Sequence, residues 1–287
     1  MTDFRLDFVV IGSRKSASTW LYELFLRHAE VCVSPVVKQS GFFGRHHEKG
    51  LAWYQSLFVD CRAGQLVGEV DPDLISTPEA PERIRRLFPN AKLIAIFRNP
   101  ADHFYSSYDH ARGKGQVAAT PEAAWNDEPR FRRELQYGTM MERVYASFPA
   151  ERVLILFYEH IERDPHAVLA QVSRFLGIRN DFDRELIGTR VNASWSSRSV
   201  FFASLLTRGA RLARRFDLHR LVDAVKTVPL IRRNYRVKDR GAVQSERQGA
   251  LRATISADVA DELRLFEKLT GQEVASIWPE VAAALSR

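Results

Sequence analysis

At 287 residues, 45% hydrophobic and 27% charged, the chain has the make-up of a globular protein large enough for a substantial core. A formal net charge of +7 favours anionic ligands or an acidic substrate. Two cysteines, Cys32 and Cys61, make neither a disulfide framework nor a zinc ligand set, which points to a reducing compartment, and no apolar run approaches the roughly 20 residues of a membrane span.

Met1–Arg5 leads straight into the first strand without a basic, apolar leader, so the expected setting is a cytoplasmic, bacterial one. The first element reads as a buried strand, Asp7–Gly12, followed by a tight loop, Ser13-Arg14-Lys15-Ser16-Ala17-Ser18-Thr19, and a helix over Thr19–His28 that Trp20 opens. A strand–loop–helix of this kind turns free backbone N–H groups and the positive end of a helix dipole toward whatever sits in the loop. Lys15 and the hydroxyls of Ser16, Ser18 and Thr19 make that loop a cradle for a multiply charged oxyanion. It is not a Walker A loop: counted from Gly12, the second Gly falls at Ala17 and the Lys at Ser18. The G-x-G-x-x-G dinucleotide pattern is absent as well, which disfavours an ATPase or an NAD enzyme.

Further strands are predicted over Val31–Ser34, Leu66–Glu69, Ala91–Phe97 and Arg152–Phe157, several of them apolar throughout, as in a parallel sheet covered on both faces. Helices are predicted over Leu51–Phe58, Pro78–Phe88, Pro100–Arg112, Phe131–Phe148 and Pro165–Leu176. The alternation implies a three-layer α/β fold. The strand ending in Arg98 is broken by Asn99-Pro100, and Ser106 follows two helical turns on; an arginine fork and a serine hydroxyl are phosphate donors. Composition shifts after about Val191. Arg208–Arg240 is dense in Arg and Lys, and reads either as a solvated basic face or as a cover over an anionic cofactor or acidic acceptor. The tail, Ser256–Trp278, reads as one amphipathic helix with Ser256 as its N-cap and Glu262–Lys268 on its wet side. The expected organisation is a single domain: residues 1–190 as an α/β core, and 191–287 as a basic, mostly helical part shaping the acceptor pocket and covering the cofactor.

Together the loop and the Arg98…Ser106 element resemble the PAPS-dependent sulfotransferases (PAPS is 3′-phosphoadenosine 5′-phosphosulfate). The likeness is nearest to the branch of heparan sulfate N- and 3-O-sulfotransferases and their bacterial relatives. Phe42-Phe43 followed by Lys49-Gly50-Leu51-Ala52-Trp53-Tyr54, Gly68-Glu69-Val70-Asp71-Pro72, Asn99-Pro100-Ala101-Asp102, Tyr158-Glu159 and Phe175-Leu176-Gly177 agree in order and spacing. The resemblance covers roughly residues 5–180 and the terminal helix ending in Trp278. It implies a central parallel sheet of P-loop-kinase-like type with a helical C-terminal extension. It implies in-line transfer of a sulfuryl group from PAPS to a hydroxyl or amine of a small molecule, lipid or carbohydrate, leaving PAP, with no metal. A nucleic-acid partner is not expected, because the sequence has no aromatic-interleaved basic motif. In that scheme Arg14, Lys15, Ser16, Ala17, Ser18, Thr19 and Trp20 bind the 5′-phosphosulfate, with Lys15 neutralising the leaving oxygen. Arg98 and Ser106 hold the 3′-phosphate, and Ser194, Arg198 and Arg240 are candidates for the adenine.

The acceptor side departs from that branch. Its proposed base, a Glu three residues before the paired Phe, is Gln39 here; its His before that pair is Gly41; and the Lys after its next Glu is Val70. Gln accepts no proton at neutral pH. His46 or His47 is therefore the expected base, ahead of Asp71. An acceptor that ionises easily, or PAPS binding without efficient transfer, stays open. A kinase-like nucleotide-binding protein and a non-catalytic polyanion binder are the competing readings.

Overall fold

The computed structural model describes residues 4–117, 120–188 and 245–286. All of them belong to one compact unit, and the basic stretch Arg208–Arg240 lies outside them. Five strands form one parallel sheet: β1 (Phe8–Gly12), β2 (Val31–Val33), β3 (Leu66–Val70), β4 (Lys92–Phe97) and β5 (Val153–Phe157), in the order β2-β3-β1-β4-β5. Every residue of β1 is buried, because the strand is central and apolar on both faces. In register, Phe8 lies opposite Gly68 on one side and Lys92 on the other, and Leu93 opposite Val153.

The helices between the strands follow the sequence signals closely. They are α1 (Ser18–Arg27), α2 (Gly50–Gln55, continued by a 3₁₀ turn over Ser56–Phe58), α3 (Ala80–Leu87) and α4 (Pro100–Arg112). Next come α5 (Pro121–Asp127), α6 (Pro129–Arg133), α7 (Tyr137–Ser147), α8 (Tyr158–Arg163), α9 (Pro165–Leu176) and α10 (Arg184–Ile187). After the undescribed stretch come α11 (Ser245–Asp258), α12 (Ala260–Thr270), α13 (Val274–Ile277) and α14 (Ala282–Leu285).

Three expectations are corrected. The single helix expected over Phe131–Phe148 is two, α6 and α7, because Glu134 turns toward Ser107 and Gln136 leaves helical geometry. The C-terminal segment is three helices rather than one. Gly271 takes the left-handed conformation that ends α12, and Ser256, expected as an N-cap, is buried inside α11. Cys32 and Cys61 are joined in a disulfide that ties edge strand β2 to the segment after α2. The cysteine count therefore gives no support to a reducing compartment. No helix among the described residues is long and apolar enough to cross a membrane.

Two aromatic clusters stand in one buried core against the strand residues Val9, Ile11, Leu93, Ala95 and Val153. Phe42 stacks on Tyr54 at 4.4 Å beside Phe43, Phe58 and Phe88. In the same core Phe97, Phe157, Phe266, Tyr137 and Trp278 pack edge-on or tilted. Each fully buried Phe of this kind contributes about 1.5–3 kcal/mol. The second cluster needs α7 and α12 in close contact. Gly138 permits it, since a Cβ there would stand 2.5 Å from the Glu262 carbonyl oxygen. The Glu262 carboxylate then accepts hydrogen bonds from the Thr139 N–H at 2.8 Å and hydroxyl at 2.7 Å, so it is half-buried rather than on a wet face.

Candidate active site

From β1 the chain moves to one side of the sheet for β2 and β3, then crosses to the other for β4 and β5. In open α/β sheets, ligands bind outside the carboxyl ends of the strands at such a reversal. The loop 13–17 stands there. Its shape comes from its own hydroxyls: Ser13 Oγ donates to the Ile96 carbonyl at 2.9 Å and lies 2.8 Å from Ser16 Oγ, and Ser16 Oγ bonds the Arg14 carbonyl at 3.2 Å. The Ser16 hydroxyl, expected to face a ligand, is thus turned inward and buried, which leaves its backbone for that task.

Lys15 and Ala17 take left-handed conformations, φ 60° and 65°. For residues with a Cβ this costs about 1–3 kcal/mol each. Left-handed residues alternating with right-handed ones turn successive N–H groups to one side and form an anion-binding nest. Ala17 is also the N-cap of α1, with no side chain to cap it and no acidic residue in the first turn. By contrast Asn99 and Asp164 cap α4 and α9. The first N–H groups of α1 are therefore left facing the loop without a side-chain acceptor.

Four cations converge on this point. Burial, then the charges of Arg14 and Arg98, lower the pKa of Lys15, so the cluster favours an added anion. Arg98, at the end of β4, donates from Nη1 to the Lys15 carbonyl at 3.1 Å and lies over the Tyr158 ring at 4.2 Å. Its own carbonyl accepts from the Tyr137 hydroxyl at 2.9 Å, and His103 Nδ1 contacts that hydroxyl at 2.8 Å. Glu134 lies 3.5 Å from His103 Nε2 and accepts from Ser107 at 2.7 Å. Arg14 bonds Asp73 at 3.0 Å. Lys38 donates to Ser18 Oγ at 3.1 Å and Thr19 Oγ1 at 2.8 Å. The loop and Arg98 are thus brought together as the sequence suggested. Ser106 is half-buried on α4, and Trp20 is buried on α1, its Nε1 without an acceptor among the described residues. Ser194, Arg198 and Arg240 lie outside the described residues.

On the other flank, the loop after β2 is clamped to the end of β3 by two carboxylates. Asp71 accepts from the Gly41 N–H at 3.1 Å, the Asp73 N–H at 3.2 Å and Gln39 Nε2 at 3.4 Å. Its pKa is raised by burial and by the Asp73 charge. Glu69 accepts from the Ser40 N–H at 3.0 Å and the Tyr54 hydroxyl at 2.8 Å, and burial followed by Asp71 pushes its pKa up to about 7. His47 Nδ1 contacts the Phe42 carbonyl at 3.2 Å and its Nε2 faces Arg86 at 3.4 Å, so both ring nitrogens have structural partners. His46 Nε2 accepts from Arg45 Nε at 3.3 Å, and its Nδ1 lies 3.8 Å from Glu48. A Cβ on Gly41 would meet the His46 ring at 3.0 Å, so that ring fills the space a side chain at 41 would take.

Sequence reasoning passed over His103, Glu134 and Tyr137. The i, i+4 placement of His103 and Ser107 on one face of α4 was a visible signal; their partner on a later segment had none.

A sulfotransferase-domain family model matches residues 5–199. The bifunctional heparan sulfate N-deacetylase/N-sulfotransferase 1 of Xenopus tropicalis is 29% identical over 201 residues, covering 61% of this chain and 22% of the relative. The human heparan sulfate glucosamine 3-O-sulfotransferase 6 is 29% identical over 184 residues, covering 60% of this chain and 52% of the relative. The chain thus spans from about a fifth to about half of these relatives. A sulfotransferase crystal structure from Alicyclobacillus acidocaldarius aligns with a TM-score of 0.58 at 21% identity, over 77% of this chain and 96% of that one, a likeness of fold.

Proposed function

This chain belongs to the sulfotransferase family, and from that premise we propose that it moves a sulfuryl group from PAPS to a hydroxyl or amine of its acceptor. The observation that carries this is the convergence of Arg14, Lys15, Lys38 and Arg98 on the uncapped start of α1. The nest and first turn would take the 5′-phosphosulfate, and Arg98 with Ser106 the 3′-phosphate. Both ends of the nucleotide are then gripped by side chains and backbone donors of the chain itself.

PAPS, when bound, supplies the sulfuryl group: the acceptor atom forms a bond to sulfur as the bridging S–O bond breaks, the electron pair leaves on the 5′-phosphate oxygen of PAP, and the acceptor's proton passes to a base. Lys15 neutralises the charge that grows on the departing oxygen. His46 is the proposed base: its ring fills the place beside Gly41 where the related branch carries a His, its Nδ1 edge faces Glu48, and its Nε2 takes the proton once the acceptor displaces the exposed Arg45 Nε–H that it accepts from at 3.3 Å. The names of the relatives weigh toward a carbohydrate acceptor; a lipid or small molecule fits the same chemistry. A cytoplasmic setting would keep Cys32 and Cys61 reduced, and the disulfide is the observation against it. Mass-shift alkylation of the chain in intact cells decides that point.

Isothermal titration tests the nucleotide: PAP should bind, and ATP with magnesium should not compete at similar concentration. Radiolabelled sulfate from PAPS, followed into cell extract, identifies the acceptor. His46→Ala should slow turnover about 100-fold with PAP affinity kept; unchanged turnover refutes the assigned base.

A further inference from the structure

We propose that Lys38 is the second cation on the transferring sulfuryl group, presented by the loop after β2 and fixed by the hydroxyls of Ser18 and Thr19. The assignment rests on the sulfuryl-transfer reading above. It starts from an electrostatic misfit. The first turn of a helix carries the positive end of the dipole, where carboxylates belong and ammonium groups are disfavoured. Lys38 nevertheless places Nζ 3.1 Å from Ser18 Oγ and 2.8 Å from Thr19 Oγ1, the first two residues of α1.

A tie between loop and helix could have been made with a neutral or acidic side chain. A lysine here, beside Lys15, is stabilised once an anion lies between them. Two of its three N–H donors go to the hydroxyls, and the third has no acceptor among the described residues.

The surroundings keep the charge available. Burial, with a smaller contribution from Lys15, pulls the Lys38 pKa down to about 8 against the opposing charges of Asp71, Asp73 and Glu23. The position after Glu69, where the resemblance expects a lysine, is Val70, buried in the sheet. Across this junction the charges have changed places. The loop, which in the related branch carries the carboxylate, here carries the lysine next to neutral Gln39, and the strand end carries Asp71. Lys38 thereby reaches the anion loop from the acceptor side, opposite Arg98.

PAP and PAPS differ by the sulfuryl group, so their affinities measured by calorimetry isolate it without a known acceptor. In Lys38→Met, affinity for PAPS should fall about tenfold or more, and affinity for PAP by less than about threefold. Lys38→Arg should keep most of the PAPS preference. In the wild type the PAPS-to-PAP affinity ratio should decline above about pH 8, and in Lys38→Arg it should not. Equal losses of PAP and PAPS in Lys38→Met, or a ratio independent of pH in the wild type, would make Lys38 a structural tie and overturn the assignment. If Lys38→Met does not fold, the pH series on wild type and Lys38→Arg decides alone. A wild-type chain that binds neither nucleotide sinks the sulfotransferase reading itself, whereas binding of both with equal affinity sinks only the role of Lys38.

Discussion

The two flanks of β1 serve one loop with different resources. On the β4 side, Arg98 is held by a backbone carbonyl, an aromatic face and a tyrosine hydroxyl. Its charge is permanent, and buried His103 behind it has a lowered pKa that favours the neutral ring. On the β3 side the groups are coupled: the Asp71 and Asp73 charges hold up the pKa of Lys38, Asp71 raises that of Glu69, and Asp73 raises that of Asp71. A grip on a nucleotide benefits from constancy, and a site that must stabilise charge only during transfer benefits from tunable neighbours. The division predicts that nucleotide affinity and turnover respond differently to pH.

The largest expected effect lies between the flanks. Lys15→Ala should lower turnover about 1,000-fold with a much smaller loss of PAP affinity; equal turnover in both proteins would contradict its role at the leaving oxygen. Next comes the disulfide on the β3 side, which closes a loop across a sequence separation of 29. Cys32→Ser should lower unfolding free energy by about 3 kcal/mol in urea titration, and an unchanged midpoint would mean the bond contributes nothing. Arg98→Ala should weaken PAP about 10- to 100-fold, by the same factor at pH 7.5 and pH 9, where the phosphate monoesters are fully ionised. A factor that varies with pH would erase the distinction between the flanks.

The smallest effect sharpens it. The folded-state pKa of Glu69, about 7, lies above its ordinary 4.5, chiefly because burial disfavours the charged form. Its contribution to stability is therefore whole below about pH 4.5 and is lost as pH rises through about 7. Glu69→Gln should remove a downward slope of about 1 kcal/mol per pH unit in that window, measured by urea unfolding at a series of pH values.

The same contrast separates what the sequence discloses from what it hides. All five strands are legible because each is a short apolar run, and α4 and α9 match the reading residue for residue because Asn99-Pro100 and Asp164-Pro165…Gly177 mark their ends locally. The anion loop is legible for the same reason, since the residues that shape it are neighbours in the chain. Helix α5 was missed despite Thr120-Pro121 at its start, and α6 and α7 were fused, because Glu134 answers to Ser107 on another helix. Lys38 with Thr19, Asp71 with Gly41, and Cys32 with Cys61 join segments 19 to 30 residues apart. No periodicity or motif encodes such pairs; they exist once the sheet has set its neighbours.

Gly138 illustrates how far from the loop a defect can begin. A methyl group there would push α12 off α7, shift Tyr137, and withdraw the hydroxyl that steadies the Arg98 carbonyl. A screen for lost activity would score Gly138 among the hits although it carries no functional group, and the lesion would show itself as a nucleotide that escapes too readily.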